Sequence, residues 1–154
     1  MLSLPTTEQI ILDCRSELLN TIDPAVAEPA VKIAIQMMEN VLRNCATRAA
    51  HEIAWMTEET ATMVAYAERV AASAEQRAGV RSALERFTAQ RSSSLHLDDV
   101  ARTYHLASAC LSAALDTAMA EGDTALAAEG RAIIQQRVAT ELQIMGEWSF
   151  VGRG

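Results

Sequence analysis

The stretch PAVKIAIQMMENVLRNCATRAAHEIAWMTEETATMVAYAERVAASA, Pro29 to Ala74, decides the fold class. Apolar residues fall at Val31, Ile35, Met38, Leu42, Cys45, Ala49, Ile53 and Met56, spaced by three and four, which is the period of one helical face and not of a strand. The phase continues through Met63, Ala67, Val70 and Ala74. Pro29 suits a first helical turn, where its missing N–H costs nothing, and no Gly or Pro interrupts the residues after it as far as Ala74. A continuous helix of about 45 residues would run roughly 68 Å, longer than a compact domain of this size. The expectation is therefore a break at Thr57, within Thr57-Glu58-Glu59.

Upstream, Pro5-Thr6-Thr7-Glu8-Gln9 has the form of a helix start. Thr6 is placed to cap the free amides, and Gln9, three residues on, completes a capping box. Ile10, Ile11, Cys14 and Leu18 give this helix an apolar face, and it should end near Asn20, ahead of Asp23-Pro24. Downstream, Val80, Leu84 and Phe87 form a short apolar face after Gly79. Residues 88–97, which contain Arg91-Ser92-Ser93-Ser94, are expected to be the main internal loop. Val100, Tyr104, Ala107, Leu111, Leu115 and Ala118 mark the next helix, for which Ser94 or Asp98 is the expected cap. Gly122 then supplies a left-handed C-terminal cap, and Asp123 caps a last helix with Ile133, Ile134, Val138, Leu142 and Met145 on its core face. The short link predicts an antiparallel C-terminal helix pair. The fold class expected is all-α: a single-domain helical bundle, residues 1–154, of five or six helices with one long central amphipathic helix.

Composition agrees. The 154 residues include 29 alanines, six Gly, three Pro and only 4% aromatic residues, a balance that favours helix over sheet. With 13 basic against 20 acidic residues the net charge is −7, which repels phosphate. The series Arg77, Arg81, Arg86 and Arg91 is interleaved with Glu75 and Glu85, so it reads as a solvated helical face, and no nucleic-acid partner is expected. No stretch approaches the roughly 18 apolar residues of a membrane span, and no signal-peptide pattern opens the chain, so a cytoplasmic protein without a membrane partner is expected. Cys14, Cys45 and Cys110 sit at apolar helical positions, as buried reduced thiols would.

Catalytic signatures are sparse. A di-metal carboxylate bundle needs Glu-x-x-His, which the chain lacks, and adjacent His51-Glu52 point about 100° apart on a helix. His96, Asp98, Asp99 and His105 carry ligand chemistry, but Asp98 and Asp99 equally suit a helix N-terminus. No catalytic residues, metal or cofactor are assigned. The richest surface is a strip at helical spacing, Asn40, Asn44, Arg48, His51 and Trp55. It gathers amides, a guanidinium and an indole of the kind that anchor protein interfaces. These five are the candidate partner-binding residues. Trp148-Ser149-Phe150 is expected to fold back over the bundle end.

Several elements together resemble a small family of bacterial helical proteins that accompany aminoglycoside-phosphotransferase-like kinases and acyl-CoA dehydrogenases. These are Leu4-Pro5-Thr6-Thr7 before a helix with Arg15 and Glu17-Leu18, Asn40-Val41-Leu42 followed by Arg48, and then Ala114-Leu115, Gly122-Asp123, Ile133-Ile134 and Leu142-Gln143-Ile144. The family pattern has an acidic residue directly after the central arginine, whereas here Ala49 follows Arg48 and the acid arrives at Glu52. Residues 57–97 have no counterpart. The resemblance implies a non-catalytic accessory subunit of a hydroxyacyl-CoA kinase or another acyl-CoA-metabolising enzyme. Two alternatives stand beside it. One is a stand-alone helical enzyme or small-ligand carrier using His51, Tyr104 and His105; the other is a structural homo-oligomer.

Overall fold

A computed structural model describes residues 4–75 and 77–146. Among them every regular element is helical, as the three-and-four spacing requires. The elements are α1 (Thr7–Glu17), a π-helical turn (Leu18–Ile22), the single turn α2 (Asp23–Ala25), α3 (Pro29–Ser73), α4 (Ala78–Gln90), α5 (Leu97–Ala120) and α6 (Thr124–Met145). The protein is an all-α helical bundle with one long central helix.

Local chemistry explains most boundaries. The Thr6 hydroxyl accepts from the Gln9 amide while the Gln9 side chain accepts from the Thr6 N–H, the reciprocal capping box. Pro29 opens α3 at its first position. Gly122 closes the α5 turn at φ 71°, a left-handed conformation that favours glycine. Asp123 Oδ1 then accepts from the amides of Ala125 and Leu126 and starts α6. The expected loop at 88–97 is shorter, because α4 runs to Gln90 and α5 starts at Leu97. Within it the Ser94 hydroxyl accepts from the His96 amide, and neither Ser94 nor Asp98 is the cap: His96 holds that position without a side-chain bond.

The break expected at Thr57 does not occur, and α3 is continuous for 45 residues. Thr57 turns its hydroxyl back to the Ile53 carbonyl at 2.7 Å, and Thr62 does the same to Glu58. Both therefore satisfy themselves inside the helix instead of leaving it. Domain size sets no limit on this helix, because the chain forms two compact units whose boundaries fall inside helices. The N-terminal unit is residues 1–52 with 141–154, and the second unit is residues 53–140. Neither unit has to contain the whole of α3.

The second unit is well packed. Met63, Tyr66, Ala67 and Val70 of α3 are fully buried among Val80 and Phe87 of α4 and Ala107, Cys110, Leu111 and Ala114 of α5. Helix α6 joins at Gly130, where an added Cβ would lie 2.7 Å from the Tyr66 hydroxyl and 2.8 Å from Leu115. Only a residue without a side chain permits this approach. Contacts of Leu115 with Gly130, and of Tyr104 and Ser108 with Arg137, run in opposite sequence directions, so α5 and α6 are antiparallel as predicted. The core face of α6 is only partly the predicted one. Ile133 packs against the core and Ala127 and Gly130 are buried, while Ile134, Val138, Leu142 and Met145 are exposed.

The N-terminal unit buries little: Leu18, Ile35, Ala46 and Ile144 are its buried apolar residues among those described. Val31 and Met38 of the predicted core stripe are exposed instead, as is Ile53 at the start of the second unit. So are Cys14 and Cys45, which corrects the expectation of three buried thiols; only Cys110 is buried. Trp148-Ser149-Phe150 lies outside the described residues.

Candidate functional site

The predicted strip lies along α3. Asn40 and Asn44 are half-buried, Arg48 and His51 are exposed, and Trp55 is half-buried and belongs to the second unit. Intrahelical bonds hold the first members in place. Asn40 Nδ2 donates to the Gln36 carbonyl, Arg43 donates to Asn40 Oδ1 at 2.7 Å, and Arg48 pairs with Glu52 one turn on. Asn44 Oδ1 is buried without a hydrogen bond among the described residues. His51, with Ala49 and Ala50, borders a cleft of about 660 Å³ closed on its other side by Leu4–Glu8.

Beside this strip is a surface that shares Val31, Met38 and Cys45 with the predicted core face. Val31, Ala34, Met38, Val41 and Cys45 form a continuous exposed stripe, with Met37 next to it, while Ile35 of the predicted face is buried and Leu42 half-buried. Met38 and Val41 are 55% and 58% exposed. Lys32 and Glu39 lie on another face of the helix, where they pair with Asp23 and Arg15. A helix apolar on most of its circumference is normally covered on most of it. Here only the side bearing Ile35 and Ala46 is buried.

The second unit holds a polar cluster that the sequence reading did not assemble. Tyr104 of α5 donates to Glu59 Oε2 of α3 at 2.6 Å, and Arg137 Nε of α6 donates to the Tyr104 oxygen at 3.0 Å. The guanidinium also lies 5.1 Å over the Tyr104 ring and reaches Ser108. Burial, reinforced by the bond to Glu59, raises the Tyr104 phenol above its ordinary value, with Arg137 opposing. A neutral phenol bridging an acid and a base binds three helices together, and with these bonds made its groups are spent on one another. A signal did exist. Glu59 sits in core phase, four residues before Met63, and Arg137 one turn after Ile133; opposite charges at core-phase positions of two helices point to a pair, here half-buried.

His105 packs edge-on to the Tyr104 ring at 6.3 Å, whereas His51 belongs to the N-terminal unit. Asp99 accepts from Arg102, and no three His, Cys, Asp or Glu side chains among the described residues are grouped to hold a metal ion. Likewise no described helix is long and apolar enough to cross a membrane. No family model, curated protein or solved structure matches the chain. The resemblance to kinase-associated helical proteins therefore rests on its residues alone.

Proposed function

We propose that the protein is a cytoplasmic interaction subunit whose N-terminal unit is the docking element and whose second unit is the scaffold. One observation carries the reading: the N-terminal unit exposes Met37, Met38 and Val41 on a single helix while the second unit closes a full core. Exposed apolar surface of this extent on an otherwise folded helix is the signature of an interface. The polar strip beside it, Asn40, Asn44, Arg48 and His51 with Trp55 further along α3, supplies directional donors of the kind found at interface hot spots. On the strength of the resemblance, the enzyme served is an aminoglycoside-phosphotransferase-like kinase acting on a hydroxyacyl-CoA, or an acyl-CoA dehydrogenase.

The test is recovery of the tagged full-length chain from its source cells with quantitative mass spectrometry of what co-elutes. A kinase or acyl-CoA enzyme at stoichiometric level, reduced at least tenfold by His51→Glu, is the expected result. Recovery of no enzyme above background overturns the reading.

A further inference from the structure

The open face of α3 has an internal symmetry that points to what covers it. Val31, Ala34, Met38, Val41 and Cys45 alternate by three and four, the spacing of a seam between two helices. Across Pro29 to Thr47 the charges are Lys32, Glu39 and Arg43, none on this stripe. Charge returns only at its two ends. Glu28 immediately precedes α3, its carbonyl accepting from the Val31 and Lys32 amides, and Arg48, three residues after Cys45, is paired with Glu52 of its own helix; Glu28 and Arg48 are both exposed.

We propose that a second copy of this chain packs on this stripe, α3 antiparallel to α3, about a two-fold axis between Met38 and Val41. The inference rests on the reading of the N-terminal unit as an interaction surface and names one of its partners. Reversed, the stripe is complementary to itself. Met38 of one copy meets Val41 of the other, Ala34 meets Cys45, and Val31 meets the aliphatic stem of Arg48. The Arg48 guanidinium, already paired with Glu52 of its own helix, then comes within one helical turn of Glu28 on the second copy and is shared between the two carboxylates, and the two-fold repeats the arrangement. A parallel arrangement would set Glu28 against Glu28 and Arg48 against Arg48. Each copy carries a net charge of −7, so association is opposed over most of the surface and favoured across an uncharged seam closed by opposite charges. The small Ala34 and Cys45 face each other and allow the two backbones a close approach.

The experiment uses the full chain. Light scattering after size exclusion should give twice the 16.7 kDa chain mass. Val41→Glu, which sets two carboxylates beside the axis, should yield a monomer with unchanged circular dichroism. Arg48→Glu should weaken the dimer about tenfold, and adding Glu28→Arg should restore it. In a Cys14→Ser background, Ala34→Cys treated with a short thiol cross-linker should give a covalent dimer linked between residues 34 and 45. A monomeric wild type, a dimer indifferent to Val41→Glu, or a wild-type link between Cys45 and Cys45 overturns the proposal. The enzyme recovery is a separate readout: a monomer that still recovers the enzyme sinks only the dimer, and a dimer that recovers none sinks only the accessory reading.

Discussion

Two stretches of α3 carry the same apolar period with opposite outcomes. From Met63 to Val70 the stripe meets α4 and α5 and is fully buried; from Val31 to Cys45 only Ile35 is buried, and Val31, Met38 and Cys45 face solvent. The absence of helix breakers does not separate them, since both lack Gly and Pro and are helical throughout. The difference lies in what the rest of the chain brings. The second unit supplies an α4 face with Val80 and Phe87 and an α5 face with Ala107, Cys110 and Leu111. Among the described residues the N-terminal unit supplies α1, with no buried residue, two short turns with Leu18 buried, and the end of α6 with Ile144 buried. Periodicity therefore specifies which residues share a face, while burial depends on whether partner surface exists to meet it.

The sharpest way to break this comparison is a matched pair of substitutions in the one helix. Met63→Ala empties a fully buried site and should cost about 2–5 kcal/mol. Met38→Ala, at a side chain 55% exposed, should stay within about 0.5 kcal/mol for the isolated chain. Urea denaturation of both variants decides the matter, and equal losses would mean that the two stretches are packed alike. Next in size is Gly130→Ala. The new methyl would stand inside contact distance of Tyr66 and Leu115, and overpacking of this kind costs about 1–3 kcal/mol. Gly79→Ala, with open space around its Cβ position, is the control and should be neutral to stabilising.

Tyr66 links the comparison to pH. Its hydroxyl donates to the Leu126 carbonyl at 3.0 Å, and burial first, then the Glu129 and Asp123 carboxylates, raise its pKa above 10.0, with Arg69 opposing. Its folded-state pKa lies above the unfolded one, so its contribution is complete below about pH 10 and is lost as pH rises through the folded value. Tyr104, raised in the same direction, behaves alike. Tyr66→Phe should cost about 1 kcal/mol at neutral pH. It should also flatten the alkaline fall in stability by up to about 1.4 kcal/mol per pH unit. An unchanged alkaline slope in the variant would show that Tyr66 is not among the groups that ionise on unfolding.

Much of the fold was legible in the sequence where the signal is local. The Thr6–Gln9 capping box, the Pro29 start, the left-handed Gly122 and the Asp123 cap each depend on a few neighbouring residues and appear as read. What was not legible depends on residues far apart. The continuity of α3 turned on a domain-size limit that the two units make irrelevant. The exposed face of α6 turned on Gly130 fitting against Tyr66, 64 positions away in sequence. The candidate strip was legible as a set of positions on one helix, but its exposure was not. Val31, Met38 and Cys45 beside it were assigned to the core because apolar periodicity looks the same on a buried and on an exposed face.

The smallest predicted effect tests whether the two units also differ in cooperativity. Thr6→Ala removes the hydroxyl of the α1 capping box, and Asp123→Ala removes the carboxylate that caps α6; each loss is worth about 1 kcal/mol by itself. Helix α1 buries no residue, so its opening is expected to cost less than global unfolding. Thr6→Ala should then speed amide exchange over Gln9–Asp13 severalfold while leaving the melting temperature unchanged. Asp123→Ala should lower the melting temperature by a few degrees, because α6 is held to the main core through Ala127 and Gly130 and cannot open alone. Hydrogen exchange read by mass spectrometry separates the two responses. If Thr6→Ala lowers the melting temperature as much as Asp123→Ala does, the N-terminal unit unfolds together with the core, and its exposed stripe is more firmly held than its burial implies.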